Sequence, residues 1–255
     1  MLGLLDAAKA AMERFPVYTG IRCSTRPDFI DEKIADILKR NRVTAIELGA
    51  QSMDDDVLRA NSRGHTAEDV RRAARIISES GIELGLQMMT GLYRDSIKHC
   101  LYTAEEFIKL SPGTVRIYPT VILKNTRLGS LFEQGEYKSF SFEETVGLCA
   151  KLLARFEECG IKVIRLGLHA SEDVERDMLG GVYHPALREI VESRVMLEEL
   201  KKRLEKMQKG RYSVYTDPRN ISKVTGHKKC NKKALSELGY EIEILPMEGE
   251  YLLIK

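Results

Sequence analysis

The hydrophobic pattern of the chain is clearest over residues 46–93, where two apolar segments flank an amphipathic one. Both apolar segments open with the same four letters, Ile-Glu-Leu-Gly, once at Ile46 and again at Ile82. Residues 67–80 between them carry apolar side chains at helical spacing: Val70, Ala73, Ala74 and Ile77. A strand, a helix and a second strand in this order predict two parallel strands joined by a crossover helix.

The same alternation extends over the first 170 residues. The predicted strands are Val17–Ser24, Ala45–Gly49, Glu83–Met89, Val115–Thr120 and Lys162–Gly167. Further helices are predicted at 2–15, 30–39, 96–109 and 142–159, and a loop at 122–140. Strands that alternate with helices predict an α/β fold, here a partial (β/α) barrel of the TIM type. Functional residues of such a fold lie at the carboxyl ends of its strands.

The pattern changes after residue 170. Acidic residues and Gly180-Gly181 precede a long charged helix, predicted at 185–208, so a boundary is expected near 170–184. The last residues predict a strand at 212–215, a helix at 220–238 loosened by Gly226, and two short strands that turn through Glu248-Gly249-Glu250. The predicted domains are a barrel at 1–170, a linker and long helix at 171–210, and a small α+β appendage at 211–255.

Composition narrows the class of protein. The chain has no run of about 18 apolar residues, and charged residues interrupt its first apolar stretch, so neither a membrane span nor a signal peptide is predicted. We therefore expect a cytoplasmic protein. Its five cysteines are scattered singly, without a CxxC pair, which predicts reduced thiols rather than a disulfide framework or a zinc site. His169 and His184 flank the predicted boundary, but no ligating residue stands at metal spacing beside them.

The formal net charge is only +2, but positive charge gathers in the appendage. The candidate nucleic-acid contacts there are Lys228, Lys229, Lys232 and Lys233. Tyr212 and Tyr215 precede them, and a basic patch with nearby aromatic residues suits a polyanion such as RNA. A solvated helix face has the same pattern, so both interpretations stay open.

Five short motifs occur in order along residues 24–120. They are Ser24-Thr-Arg-Pro-Asp, Glu47-Leu-Gly-Ala-Gln-Ser, Arg63-Gly-His-Thr, Thr90-Gly-Leu-Tyr and Arg116-Ile-Tyr-Pro-Thr. Together they resemble the strand-end motifs of radical S-adenosylmethionine (SAM) enzymes, in the branch of the Elongator catalytic subunit and the oxygen-independent coproporphyrinogen oxidase. The resemblance implies a partial (β/α) barrel in which a [4Fe–4S] cluster and SAM generate a 5′-deoxyadenosyl radical. The radical would abstract hydrogen from a tRNA or other RNA base, or from a small metabolite.

The resemblance also implies roles for individual residues. Gln51 and Arg63 would hold the methionine and ribose portions of SAM, and Ser52 would shape the strand end between them. Tyr118 and Pro119 would lie near the adenine.

Two further cofactor-binding positions, Ser24 and Gln87, stand where the family carries acidic residues. The cluster-binding motif C-x₃-C-x₂-C does not occur in the 255 residues. Since a cluster needs closely spaced thiolates, we expect it only in a full-length enzyme, of which this chain is an inactive, N-terminally truncated part. The strand edge at Val17–Ser24 would then be exposed and favour self-association.

Two other interpretations remain open. The chain could be a non-enzymatic barrel fragment that binds a partner or pairs with a separately encoded N-terminal piece. It could also be a phosphate-binding (β/α) barrel with acid/base chemistry, although no Lys, Glu or His pair stands at the strand ends. His65 is expected to be structural, because Thr66 with Asp69 forms a helix N-cap signature.

Overall fold

The computed structural model describes residues 2–255, which form two compact units. The first unit comprises the residues up to Ser141 together with Arg155–Tyr183, and the second comprises Phe142–Ala154 and His184–Lys255. Residues 171–183 therefore belong with the barrel, whereas the long helix that follows them belongs with the appendage.

The first unit alternates helices and strands along most of its length. Its helices are α1 (Leu2–Arg14), α2 (Glu32–Arg40), α3 (Asp55–Ala60), α4 (Ala67–Glu79), α5 (Ile97–Lys109), α6 (Arg127–Glu133) and α8 (Glu172–Asp177). Its strands are β1 (Ile21–Thr25), β2 (Val43–Gln51), β3 (Glu83–Thr90), β4 (Thr114–Pro119), β5 (Val121–Leu123), β6 (Lys162–Leu166) and β7 (Met178–Gly181). Helix α7 (Phe142–Glu158) contributes residues to both units.

Five of these strands form one parallel sheet in the order β1-β2-β3-β4-β6. The register places Ser24 opposite Glu47, Glu47 opposite Gly85, and Gln87 opposite Arg116. The predicted parallel α/β sheet is confirmed. Because all strands run the same way, their carboxyl ends lie along one edge, where the loops that follow them can form a site.

Burial explains why these segments become strands and helices. Ile46 and Leu48 of β2 are fully buried, as are Val70 and Ile77 of the amphipathic helix α4. Thr66 caps this helix by accepting a hydrogen bond from the backbone of Asp69, whose carboxylate bonds back to the backbone of Thr66. The predicted N-cap is confirmed, and satisfied backbone groups at this end fix where α4 begins.

The first strand begins later than the sequence predicts. Pairing starts at Ile21, whose amide donates to the carbonyl of Arg42, so residues 17–20 of the predicted strand lie outside β1. Pro16 and Val17 form a turn instead, and Val17 is 80% exposed. Gly20 lies so close to β2 that a Cβ at this position would clash with the side chain of Thr44.

The prediction of a structureless loop at 122–140 is wrong. This segment contains most of β5 and all of α6, and Thr126 caps α6 by accepting a hydrogen bond from Gly129. Strand β5 pairs antiparallel with β7, whose residues the sequence analysis assigned to a linker. These two strands have only three and four residues, too few to show a hydrophobic period, which is why the pattern did not reveal them.

The second unit packs the long helix α9 (Leu187–Leu204) with a small sheet and two short helices. The remaining elements are β8 (Gly210–Thr216), α10 (Ile221–Thr225), α11 (Cys230–Glu237), β9 (Tyr240–Pro246) and β10 (Leu253–Ile254). Leu200 and Leu204 of α9 join Val214 and Leu235 in its apolar core. Gly226, at φ 79°, ends α10, so the single helix predicted at 220–238 is two helices.

The predicted turn between the last two strands does not form a hairpin. Strand β8 lies between them, parallel to β9 and antiparallel to β10. The helices α10 and α11 cross over from β8 to β9, which is the connection that adjacent parallel strands require. No helix within residues 2–255 is long and apolar enough to cross a membrane.

Candidate active site

One face of the parallel sheet carries polar side chains that contact one another across the strands. At its centre, Glu47 of β2 is 1% exposed. Its carboxylate accepts hydrogen bonds from Arg22 Nη1 on β1 at 3.0 Å and from Arg116 Nη2 on β4 at 2.7 Å. Gln87 of β3 donates to the other carboxylate oxygen at 2.8 Å. The buried anion is thus paired with two guanidinium groups and an amide, as a buried charge requires.

A glycine makes room for this carboxylate. Gly85 lies opposite Glu47 in the sheet, and a Cβ at this position would stand 2.9 Å from Glu47 Cγ and 3.0 Å from Thr114 Oγ1. Any larger residue would displace one of the two side chains.

The hydrogen bonds continue outward from Glu47 to residues that the family resemblance had singled out. Gln87 Nε2 lies 3.2 Å from Ser24 Oγ, and Arg116 Nη1 donates to the Tyr118 hydroxyl at 3.2 Å. The bond to Tyr118 and those to Glu47 raise the pKa of Arg116, which therefore stays protonated. The whole set, called here the Glu47 network, consists of Ser24, Arg22, Glu47, Gln87, Arg116 and Tyr118.

Three members of this network were not predicted as site residues, namely Arg22, Glu47 and Arg116. A signal for them was present in the sequence, because each is a charged residue within a predicted strand. Alternate strand residues share a face, so Arg22 with Ser24, and Arg116 with Tyr118, point the same way. Charges of opposite sign on the neighbouring strands β1 and β2 would have predicted the pairing of Arg22 with Glu47, whereas Arg116 reaches Glu47 from β4, beyond β3.

The end of β2 has an unusual backbone. Gln51, its last residue, is buried and has a φ of 67°, in the left-handed region that side chains other than glycine seldom adopt. The register of β2 with β3 shifts at the same place, between Leu48 and Gln51. Ser52 follows, and its buried hydroxyl accepts a hydrogen bond from the amide of Asp54. Such local strain is typical of ligand sites.

Arg63 is the second unusual feature at this edge of the sheet. Its side chain is partly buried, and within residues 2–255 its Nε has no hydrogen-bond partner. Burial lowers the pKa of Arg63, and the nearby guanidinium of Arg26 lowers it further. Arg26 is already bound to Asp28 through two hydrogen bonds of 2.9 and 2.7 Å. Arg63 therefore has an unsatisfied donor and a charge that an anionic ligand could neutralise.

Pro119, a further predicted site residue, and His65, predicted to be structural, are both buried. Pro119 ends β4, opposite Thr90 of β3. His65 is buried, with its Nε2 3.0 Å from the carbonyl of Ala50, in keeping with a structural role. Among the described residues, no group of three histidine, cysteine or acidic side chains is placed to hold a metal ion.

Two family models match the chain. The Radical SAM superfamily model matches residues 3–107, and the Radical SAM C-terminal domain model matches residues 112–196. The chain belongs to the radical SAM superfamily. This radical SAM chain is 28% identical to human Elongator complex protein 3 over 196 residues, which are 75% of the chain and 35% of the relative. It is 30% identical to a tRNA uridine(34) acetyltransferase of Methanocaldococcus infernus over 128 residues, or 48% of the chain and 23% of the relative.

A solved structure supports the same fold. Archaeal Elp3 of Methanocaldococcus infernus, lacking residues 1–46, superposes with a TM-score of 0.63 at 24% identity, covering 75% of this chain and 43% of that one. The predicted partial TIM-type barrel is thereby confirmed. The radical SAM chain spans about a third or less of the length of the curated relatives described above.

The cysteines of the chain do not fit the cluster that the family implies. Cys23 lies on β1, Cys100 and Cys149 lie within α5 and α7, Cys159 follows α7, and Cys230 begins α11. Burial raises the pKa of Cys23, and the negative charge of Glu47 raises it further, which disfavours a thiolate. A [4Fe–4S] cluster needs several thiolates held close together, and residues 2–255 do not offer them.

Proposed function

We propose that this chain supplies the SAM-binding and substrate-facing part of a radical SAM enzyme of the Elongator protein 3 type, acting on an RNA base. The archaeal relative that is named a tRNA uridine(34) acetyltransferase supports an RNA substrate. A small metabolite is the alternative substrate class.

The partly buried, unsatisfied guanidinium of Arg63 is the observation that carries this proposal. SAM brings a carboxylate and ribose hydroxyls, either of which can accept the unused hydrogen bonds of Arg63. Gln51, in its left-handed conformation at the end of β2, offers an amide at the same edge of the sheet. These residue types complement the polar groups of SAM.

The Glu47 network has a supporting role in the proposed site. Hydrogen bonds and ion pairs between its members hold their side chains in defined positions. Gln87 and Tyr118 thereby present polar atoms from two neighbouring strands. We propose that the side chains on this face of the sheet orient SAM and the substrate base.

The cluster ligands must come from polypeptide outside residues 2–255, because the cysteines within them do not fit a cluster. The chain alone is accordingly expected to lack the radical chemistry. The same observation favours a second candidate function, a non-enzymatic module that retains the fold and binds a partner.

Binding of SAM distinguishes the two candidates. Isothermal titration calorimetry of the chain with SAM should give a measurable Kd, and Arg63→Gln should raise it about 10- to 100-fold, since a hydrogen bond to a charged group contributes about 1.5–3 kcal/mol. Arg40→Gln is the matched control, because Arg40 is an exposed arginine paired with Asp36. Absence of SAM binding, or equal affinities for the two variants, would exclude this site and leave the binding module.

A further inference from the structure

The second unit contains a cavity of about 500 Å³ between the beginning of α9 and the loop that joins α10 to α11. Its charged lining consists of Lys223, Lys228, Lys229 and the single acid Glu189, and His227 lies beside them. Hydroxyl groups of Ser193, Ser222 and Thr225 complete the polar part of the wall. A volume of this size accommodates a nucleotide-sized group.

The loop that closes the cavity has a strained and fixed backbone. Gly226, Lys228 and Lys229 have φ values of 79°, 49° and 62°. A lysine seldom adopts this left-handed region, so two in succession must be held there by their surroundings. No side chain fits at Gly226, because a Cβ would lie 2.6 Å from Cys230 Sγ and 2.8 Å from the amide nitrogen of Asn231.

Asn231 holds this loop against the rest of the unit. Its side chain is 2% exposed, and its Nδ2 lies 2.9 Å from the carbonyl of Ser193 on α9 and 3.0 Å from that of Lys223 on α10. The amide of Lys229 also donates to the carbonyl of Gly226 at 2.9 Å. The lysine pair is therefore presented by a loop that packing has already fixed.

The lysines that line the cavity differ in their charge balance. Lys223 is neutralised by Glu192 at 2.9 Å. Lys228 and Lys229 are exposed, and within residues 2–255 neither forms an ion pair or a side-chain hydrogen bond. Two uncompensated cations on a strained, rigid loop beside an open cavity suit an anion that binds from solution.

We infer that this cavity binds a phosphate group of an RNA backbone, with Lys228 and Lys229 as its cationic contacts. The inference rests on the RNA-acting function proposed above. Glycine-led loops between two helices clamp nucleic-acid backbones in other RNA-binding modules. The sequence offered four lysines as candidate RNA contacts. The structure distinguishes two pairs among them, because Lys228 and Lys229 line the cavity whereas Lys232 and Lys233 of α11 do not.

The test is fluorescence anisotropy of a labelled single-stranded RNA titrated with the full chain over a salt series. The double variant Lys228→Gln/Lys229→Gln should weaken binding and reduce the log–log salt slope by about 1.4, that is, about 0.7 for each lost contact. The control is Lys232→Gln/Lys233→Gln, which removes the same charge from the same unit and should leave the slope near that of the native chain. Thermal melts confirm that both variants fold.

A second arm asks whether the phosphate comes from RNA or from a free nucleotide. Uridine 5′-monophosphate should displace the labelled RNA only weakly, because a single nucleotide makes one phosphate contact; tighter binding of the nucleotide than of the RNA would overturn the RNA source. Equal slopes for the two double variants would overturn the cavity site while the proposed function stands. A native chain that binds no RNA at all would overturn both the site and the RNA substrate, and the SAM measurement would remain an independent test.

Discussion

Glu47 shows how one residue can organise the polar face of this sheet. It is a buried carboxylate whose two guanidinium partners come from different strands. Removing one member of a buried ion pair leaves the other charges uncompensated and costs about 3–5 kcal/mol. Arg22 and Arg116 keep 36% and 28% of their side-chain surface exposed, so water screens part of this cost.

We predict that Glu47→Gln lowers the free energy of unfolding by about 2–3 kcal/mol, below the fully buried limit for the reason just given. Glu83→Gln is the matched control, because Glu83 also pairs with Arg22 but is 43% exposed. Its loss should stay below about 1 kcal/mol. Urea denaturation followed by circular dichroism measures both. Equal losses for the two variants would mean that Glu47 is only another surface partner of Arg22.

At the scale of elements, the hydrophobic pattern predicted the longer strands and most helices but not the two shortest strands of the first unit. The repeated apolar segments that begin at Ile46 and Ile82 predicted β2 and β3, because their hydrophobic pattern extends over many residues. Strands β5 and β7 were missed, since three and four residues are too few to show a strand period. Gln51 and Arg63 could be predicted as site residues only through the family motifs. Neither the left-handed backbone of Gln51 nor the unsatisfied Nε of Arg63 can be recognised from the sequence.

Strand β1 is the terminal strand of the described sheet and pairs there with β2 alone. Just before it, Val17 and Tyr18 are 80% and 60% exposed. An open strand edge beside apolar side chains favours association with a second copy. We predict concentration-dependent self-association in sedimentation velocity experiments. Val17→Lys/Tyr18→Lys should reduce it, whereas Leu238→Lys, at another exposed apolar residue, should not; a native chain that stays monomeric at high concentration would contradict this prediction.

At the scale of the whole molecule, the described residues form the barrel sheet but do not bring together three cysteines that could bind a cluster. We predict that anaerobic reconstitution of residues 1–255 with iron and sulfide yields neither the visible absorption of a [4Fe–4S] cluster nor 5′-deoxyadenosine, because no three cysteines lie close together in the described chain. A longer polypeptide that adds a CxxxCxxC loop should restore both signals. A stoichiometric cluster in the shorter chain, with formation of 5′-deoxyadenosine, would show that its dispersed cysteines rearrange.

The pairing of one carboxylate with two guanidinium groups also constrains how this sequence can diverge. Loss of Glu47 alone leaves Arg22 and Arg116 as like charges around a site that no longer holds an anion. Loss of either arginine alone removes half of the neutralisation. Substitutions at positions 22, 47 and 116 should therefore occur together in related sequences. Gly85 should be retained only in sequences that keep Glu47 opposite it. Co-variation of these positions would be the evolutionary record of a charge balance set inside the sheet.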